Sequence, residues 1–240
     1  MLITIDMTPE EEIDGNIQSL VDDLTKVTVR IATWDAGILK GRSSGFLYRS
    51  PNHDSPLVIT AGHNMPDEGS FIETRVKNDN DEMLQINAGK FQVFYNREKI
   101  DVAFSELPIE LYKKEITQYE GVELFPYFRE FVKAISGEAY SFAVINNYEF
   151  VKSGNGFILP VYLCYEVGLE LVDQDESFNY FKTNRNFQGH EYYQGASGSP
   201  IIDPEGAITS ILVSGFDDIG ILRGFRLDNF DFKSDVAKKA

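Results

Sequence analysis

The spacing of hydrophobic residues changes near Val27. Before that point they recur every three or four residues, as Ile13, Ile17, Leu20, Val21 and Leu24. Thr8 is suited to the N-cap and Pro9 to the first helical position. Glu11, three residues after Thr8, would complete a capping box with it. The pattern predicts an amphipathic helix from Pro9 to Leu24.

After Val27 the chain consists of short apolar or alternating runs separated by turn residues, which is typical of strands in a barrel or a sandwich. The predicted strands are 27–33, 45–48, 57–60, 71–76, 83–86, 91–95, 100–104, 140–145, 157–166, 168–172, 180–183, 207–214 and 221–227. Residues 108–131 interrupt this rhythm with a candidate short helix, Gly121 and Pro126. We therefore predict an all-β protein with two β-rich halves.

The predicted organisation has five parts. They are an N-terminal helical extension (1–26), a first β unit (27–106), a connector (107–136), a second β unit (137–232) and a C-terminal tail (233–240). The length of 240 residues fits either one large β domain or two small ones.

Charge and composition exclude several function classes. The formal net charge of −16 disfavours nucleic acid and anionic membrane surfaces as partners. Cys164 is the one cysteine, which excludes an intrachain disulfide. The N-terminus has no basic segment followed by a long apolar one, and no run approaches the ~18 apolar residues of a membrane span. We expect a cytoplasmic protein.

A Gly/Ser turn is the first candidate for chemistry. In the run 194–200, Ser197 stands between Ala196 and Gly198 and precedes Pro200. Glycines permit tight or left-handed backbone, so such a turn can present a hydroxyl and nearby N–H groups to one point. Acyl transfer needs this combination of nucleophile and oxyanion donors. A turn that merely connects two strands is the alternative.

A general base and an orienting carboxylate can be sought among few residues. Of the three histidines, His53 lies in a polar loop, His190 precedes the serine turn and His63 ends an apolar strand. A strand end suits a base, because the sheet holds the residue while its side chain reaches the rim. Asp101 leads directly into the apolar run 102–104 and could orient His63. A strand-capping histidine and a turn aspartate are the plain alternatives.

These segments resemble the three motifs of chymotrypsin-like serine proteases. The matching runs are Thr60-Ala61-Gly62-His63, Asp101-Val102-Ala103-Phe104 and Gly195-Ala196-Ser197-Gly198-Ser199-Pro200, in the family's order and at its usual intervals. The runs 44–47 and 211–214 resemble the strand before the histidine and the strand that lines the substrate cleft. The resemblance extends from about residue 27 to residue 230.

The resemblance implies a fold and a set of roles. The fold is a pair of six-stranded antiparallel β-barrels with the site in the cleft between them. Ser197 is the expected nucleophile, His63 the general base and acid, and Asp101 the orienting residue. The backbone N–H groups of Gly195 and Ser197 are the expected oxyanion hole. This chemistry needs no cofactor and no metal.

The sequence also departs from the family's zymogen-activated branch. That branch has an aspartate before the serine, which pairs with a new N-terminus, whereas this chain has Ala196. We therefore expect no activation of that kind. The Gly-x-Ser-Gly-Ser-Pro form without disulfides is similar to the bacterial branch, such as glutamyl endopeptidases and HtrA-like proteases.

The expected substrate-binding residues are Glu191, Tyr192, Gln194, Val213, Ser214, Gly215 and Phe216. An acid at Glu191, where the resemblance places the pocket floor, favours Lys or Arg in the substrate. Tyr192 and Tyr193 are bulky and could instead fill the pocket, Phe216 could narrow its wall, and His190 could line it. Val213 stands where glutamate-specific members carry a histidine, which argues against that preference.

The sequence thus predicts a serine endopeptidase acting on a polypeptide substrate. A catalytically silent binding domain of the same fold is the alternative. A small protease inside a cell endangers its host, so we also expect gating by a regulatory protein or ligand, as in a stress or defence effector. The segments 9–24 and 108–131 are the candidate regulatory surfaces.

Overall fold

The computed structural model describes two antiparallel β units. It describes residues 19–20, 24, 27–35, 38–49, 56–65, 70–77, 83–87, 89–107, 131–147, 151–153, 156–158, 161–184, 188–216, 219–230 and 232. Most of the predicted N-terminal helix and connector lies outside these residues, as does His53. Ser19, Leu20 and Leu24 are helical, and Leu24 is buried in the core.

The first unit is a seven-stranded antiparallel sheet with the order β5-β4-β1-β2-β3-β7-β6. Its strands are β1 (Thr28–Asp35), β2 (Ile38–Tyr48), β3 (Leu57–Thr60), β4 (Ser70–Lys77), β5 (Met83–Asn87), β6 (Gln92–Asn96) and β7 (Ile100–Glu106). All four residues of β3 are buried, because this strand lies between β2 and β7. A residue at the end of β3 is therefore held by the buried centre of this sheet.

The second unit is a closed six-stranded barrel with the order β11-β12-β15-β14-β13-β8. Its strands are β8 (Ala139–Asn147), β11 (Val161–Gln174), β12 (Phe178–Lys182), β13 (Pro200–Ile202), β14 (Ile208–Phe216) and β15 (Ile221–Arg226). A separate hairpin pairs β9 (Val151–Ser153) with β10 (Gly156–Ile158). Within the described residues, β13 and β8 share a single register pair, Ile202 with Ser141.

An aromatic cluster joins the two units. Phe104 of β7 meets the rings of Phe230 and Phe232 edge-on, with centroids 6.3 and 5.0 Å away. Phe230 also packs against Phe225 of β15 at 6.1 Å. Because aromatic side chains bury a large apolar area, this cluster fixes how the two sheets face each other.

The all-β prediction of two antiparallel units is confirmed, but some elements differ. The predicted strands 157–166 and 168–172 form the single strand β11 for most of their length, with a register shift at Gly168, whose φ is +78°. A bulge at glycine bends a strand without ending it. The pattern also missed β13, a 3-10 turn at Gly62–Asn64 and a short helix α1 at His190–Tyr193. In the described part of the chain, no helix is long and apolar enough to cross a bilayer.

Tyr140 holds the segment of the chain that leads into the second barrel. Its hydroxyl accepts from the N–H of Ile135 and donates to the carbonyl of the same residue, both at 2.8 Å. Burial raises the pKa of Tyr140 to about 12. The phenol therefore stays protonated and holds the chain that leads into β8.

Asp175 organises the turn between β11 and β12. Its carboxylate accepts from the N–H groups of Ser177 and Phe178, both at 2.7 Å, and from the Tyr180 hydroxyl at 2.9 Å. Burial opposes the charged form, but these hydrogen bonds outweigh it and lower the pKa of Asp175 below its usual value.

Replacing Asp175 should therefore destabilise the fold in a pH-dependent way. Because the pKa of Asp175 is lower in the folded than in the unfolded state, its charged form stabilises the fold at pH values above the unfolded-state pKa of about 3.9. This stabilisation is lost as the pH falls through the folded-state pKa. We expect Asp175→Ala to cost about 1 kcal/mol at pH 7 and markedly less at pH 3, as measured by urea unfolding. The exposed neighbour Glu176→Ala is the control. Equal losses at both pH values would contradict the assignment.

Candidate active site

His63 and Asp101 meet where β3 ends. The register pairs Thr60 of β3 with Ala103 of β7, so two further residues bring Asp101 opposite the 3-10 turn. Asp101 Oδ1 accepts from the backbone N–H of His63, and its Oδ2 lies 2.9 Å from His63 Nδ1. The carboxylate thus binds both the backbone and the ring of one residue, which fixes the orientation of the imidazole.

The environment of this pair defines its proton arrangement. The Asp101 side chain is 2% exposed and the His63 side chain is 30% exposed. A carboxylate only accepts hydrogen bonds, so the neutral tautomer of His63 that bonds to Asp101 is the one with its hydrogen on Nδ1 and Nε2 as an acceptor. The ring of Tyr95, which is 52% exposed, lies 6.3 Å from the imidazole between centroids. The pair is therefore a buried carboxyl group that holds a partly exposed imidazole.

Ser197 lies on the turn between α1 and β13. Its hydroxyl donates to the carbonyl of Val213 on β14 at 3.5 Å, which is a long hydrogen bond. Within the described residues it makes no hydrogen bond to His63. Catalytic hydrogen bonds are often long or misaligned in structures without substrate, so this geometry is compatible with a nucleophile.

The carbonyl of Ser197 links the two units. It accepts from the backbone N–H of Ser44 at 2.9 Å and from Asn64 Nδ2 at 3.1 Å. Asn64 directly follows His63 in the chain, so the segment that carries His63 is hydrogen-bonded to Ser197. This contact joins the part of the first unit that holds His63 and Asp101 to the turn that holds Ser197.

Ser44 supports the same turn at a second point. Its hydroxyl donates to the carbonyl of Gly195 at 2.7 Å, and its own carbonyl accepts from Thr60 Oγ1 at 2.6 Å. Sequence reasoning missed the roles of Ser44, Thr60 and Asn64. All three lie inside or beside the segments that carry the resemblance, which was the only available signal.

In the described part of the chain, two backbone donors of this turn have no acceptor. The N–H of Ala196 donates to Tyr193 at 3.0 Å, and φ of Gly195 is +81°, as a β-turn with glycine at its third position requires. Within the described residues, the N–H groups of Gly195 and Ser197 donate no hydrogen bond. Unpaired N–H groups are uncommon in folded proteins, and here they lie on either side of Ala196. An incoming oxygen could accept from both.

The predicted substrate-binding residues lie on α1, on the turn that follows it and on β14. Glu191 and Tyr192 belong to α1, and the Glu191 side chain lies outside the described part of the structure. Tyr192 is half-buried and its hydroxyl bonds to the backbone of Tyr165, whereas Gln194 is exposed. On β14, Val213 is buried, Ser214 is half-buried, and Gly215 and Phe216 are exposed, Phe216 by 43%. Among the described residues, no group of three or more His, Cys, Asp or Glu is arranged to hold a metal ion.

Comparisons with known proteins identify the fold. The sequence matches no protein-family model and no curated protein. The structure is similar to a serine endoprotease from Yersinia pestis, with 14% identity, a TM-score of 0.54 and coverage of 95% of this chain and 66% of that one.

It is also similar to neuropsin, a serine protease expressed in the limbic system of mouse brain. The identity is 14%, the TM-score 0.52, and the coverage 88% of this chain and 93% of that one. A Glu endopeptidase in complex with MPD is similar as well, with 17% identity, a TM-score of 0.51 and coverage of 88% of this chain and 90% of that one. The chain therefore has the chymotrypsin-like fold, and the resemblance inferred from the three motifs is confirmed at the level of the fold.

Gly198 is a steric requirement of this site. Its φ is +97°, and a Cβ there would overlap both the Ser44 carbonyl oxygen and Thr60 Oγ1. No side chain fits in that space unless the turn separates from the first sheet.

Gly198→Ala should therefore separate the turn from the first sheet. We expect a loss of about 3 kcal/mol or more in the free energy of unfolding, measured with urea. Gly137→Ala is the matched control, because Gly137 has φ +91° but a Cβ added there would meet nothing within 4 Å. It should cost only the ~1–2 kcal/mol of left-handed backbone. Equal losses for the two variants would refute the steric argument.

Proposed function

We propose that the protein is a serine endopeptidase that uses Ser197, His63 and Asp101. The observation that carries this proposal is the bond from Asn64 to the carbonyl of Ser197, at 3.1 Å. It joins Ser197 to the residue that follows His63, and Asp101 bonds to the His63 ring at 2.9 Å, which supports a shared site for the three residues. The fold neighbours support hydrolysis of peptide bonds, because the Yersinia endoprotease and neuropsin are both serine proteases.

The proposed reaction follows from the arrangement. His63 Nε2 takes the proton of the Ser197 hydroxyl as Oγ bonds to the substrate carbonyl carbon. The oxygen of the tetrahedral intermediate accepts from the N–H groups of Gly195 and Ser197. The imidazolium, stabilised by Asp101, then protonates the leaving amine, and the C–N bond breaks to give an acyl-enzyme. Water activated by His63 hydrolyses the ester and regenerates the serine.

A fluorophosphonate probe tests the nucleophile directly. We expect one equivalent to bind to Ser197, as located by peptide mass spectrometry, and no labelling of Ser197→Ala. Ser177→Ala, the same chemical change in a distant turn, should label like the unaltered protein. A folded protein that takes up no label would instead favour the silent binding domain or an enzyme that requires an activating partner.

Substrate preference is proposed to depend on Glu191 and on the exposed end of β14, Gly215 and Phe216. We expect purified protein to cleave a peptide library after Lys or Arg. Glu191→Gln should weaken that preference about tenfold or more, because it removes the charge that would pair with the substrate. An unchanged cleavage profile for Glu191→Gln would show that another residue sets the preference. Cleavage after a residue type other than Lys or Arg would show which preference the protein has instead.

Gating by a partner or ligand is proposed on the sequence argument alone, since its candidate surfaces lie mostly outside the described residues. The same library measurement bears on it. Cleavage by the isolated protein at rates ordinary for serine proteases, about 1–10³ per second, would remove the need for a gate.

A further inference from the structure

A buried phenol–carboxylate pair lies directly behind the turn that carries the unpaired donors. The Tyr193 hydroxyl donates to Glu166 Oε1 on β11 at 2.5 Å. Glu166 is 1% exposed. A carboxyl group this buried is costly unless it is hydrogen-bonded, so Tyr193 is strongly held in this position. The proposed reaction does not use either side chain chemically.

The neighbouring tyrosine is attached to the same strand. The Tyr192 hydroxyl accepts from the N–H of Tyr165 at 3.0 Å and donates to its carbonyl at 3.1 Å. The register between β12 and β11 begins only at Glu170, so β12 does not pair with this part of β11. Tyr192 therefore supplies hydrogen bonds that a neighbouring strand would otherwise make. Consecutive residues of α1 thus bind consecutive residues of β11.

This attachment leads directly into the oxyanion turn. Tyr193 is the first residue of the turn, and its carbonyl accepts from the N–H of Ala196 at 3.0 Å. At the third residue, the Gly195 carbonyl accepts from the Ser44 hydroxyl at 2.7 Å. Both units therefore hold the turn, one at each end.

Such a support matters because, in the described part of the structure, the N–H groups of Gly195 and Ser197 have no protein acceptor. A rotation of the turn that gave the Gly195 N–H a protein acceptor would remove this donor from the proposed oxyanion hole. Ala196, which is 0% exposed, has no charge with which to oppose that rotation. The Tyr193–Glu166 bond opposes it from inside the barrel.

We propose that Tyr193 and Glu166 are positioning residues that keep the oxyanion turn in its donor-presenting conformation, with Tyr192 as a second anchor. The proposal rests on the proposed endopeptidase function and names what holds its oxyanion hole. Neither side chain touches the substrate. They act by fixing the direction in which the Gly195 N–H points.

The test compares removal of the phenol hydroxyl at Tyr193 and at Tyr140 in the full chain, with p-nitrophenyl acetate as substrate. For Tyr193→Phe we expect kcat to fall tenfold or more with KM within twofold, because loss of one oxyanion donor costs ~10²–10³ in turnover. Tyr140→Phe is the matched control, since it removes a hydroxyl that also bonds to a glutamate, Glu138, and belongs to the same barrel. It should lower Tm and leave kcat within twofold.

Two further variants separate positioning from packing. Glu166→Gln keeps an acceptor for the phenol and should retain most of the turnover, whereas Glu166→Leu should behave like Tyr193→Phe. In ¹⁵N NMR spectra, the Gly195 amide signal should shift in Tyr193→Phe and stay in place in Tyr140→Phe.

The outcomes distinguish the two proposals. A Tyr193→Phe enzyme with kcat within twofold of the unaltered enzyme refutes the positioning role and leaves the proposed function intact. A folded, unaltered protein that neither hydrolyses the ester nor takes up fluorophosphonate refutes an ungated endopeptidase function, and the positioning role with it.

Discussion

The carbonyl oxygen of Ser197 is the point on which the site depends. Its two donors, Ser44 and Asn64, belong to the first unit, while Ser197 itself belongs to the second. Neither unit holds the proposed triad alone, since one contains His63 and Asp101 and the other Ser197. The distance between Ser197 and His63 therefore depends on the docking of two sheets, to which the aromatic cluster around Phe104 and Phe232 contributes.

Close packing makes that docking specific. The turn approaches the first sheet so closely that Gly198 leaves no room for a Cβ, and the Ser44 carbonyl fills the space. Ser44 in turn is held by Thr60, two residues before the 3-10 turn that carries the base. Close contact between small residues therefore keeps the two halves of the site together without a covalent cross-link.

The sequence was most informative where local chemistry determines structure. The apolar run of β3 and the Asp–Val–Ala–Phe run of β7 were placed correctly, and their register explains why Asp101 faces His63. It was least informative where distant segments decide. Asn64 and Glu166 look like ordinary polar residues until the fold places one beside Ser197 and the other beneath Tyr193. Nothing in the sequence indicated that the hydroxyls of the bulky α1 tyrosines bond to residues of β11.

The short strand β13 also has a consequence for local stability. Its one register pair with β8 closes the barrel, and β13 begins three residues after Ser197. A seam with so few backbone hydrogen bonds opens at a lower free energy than the rest of a sheet. Fluctuations that part Ile202 from Ser141 would therefore disturb the nucleophile while most of the barrel stays folded, so amide exchange should be fastest along this line among the barrel's strand pairings.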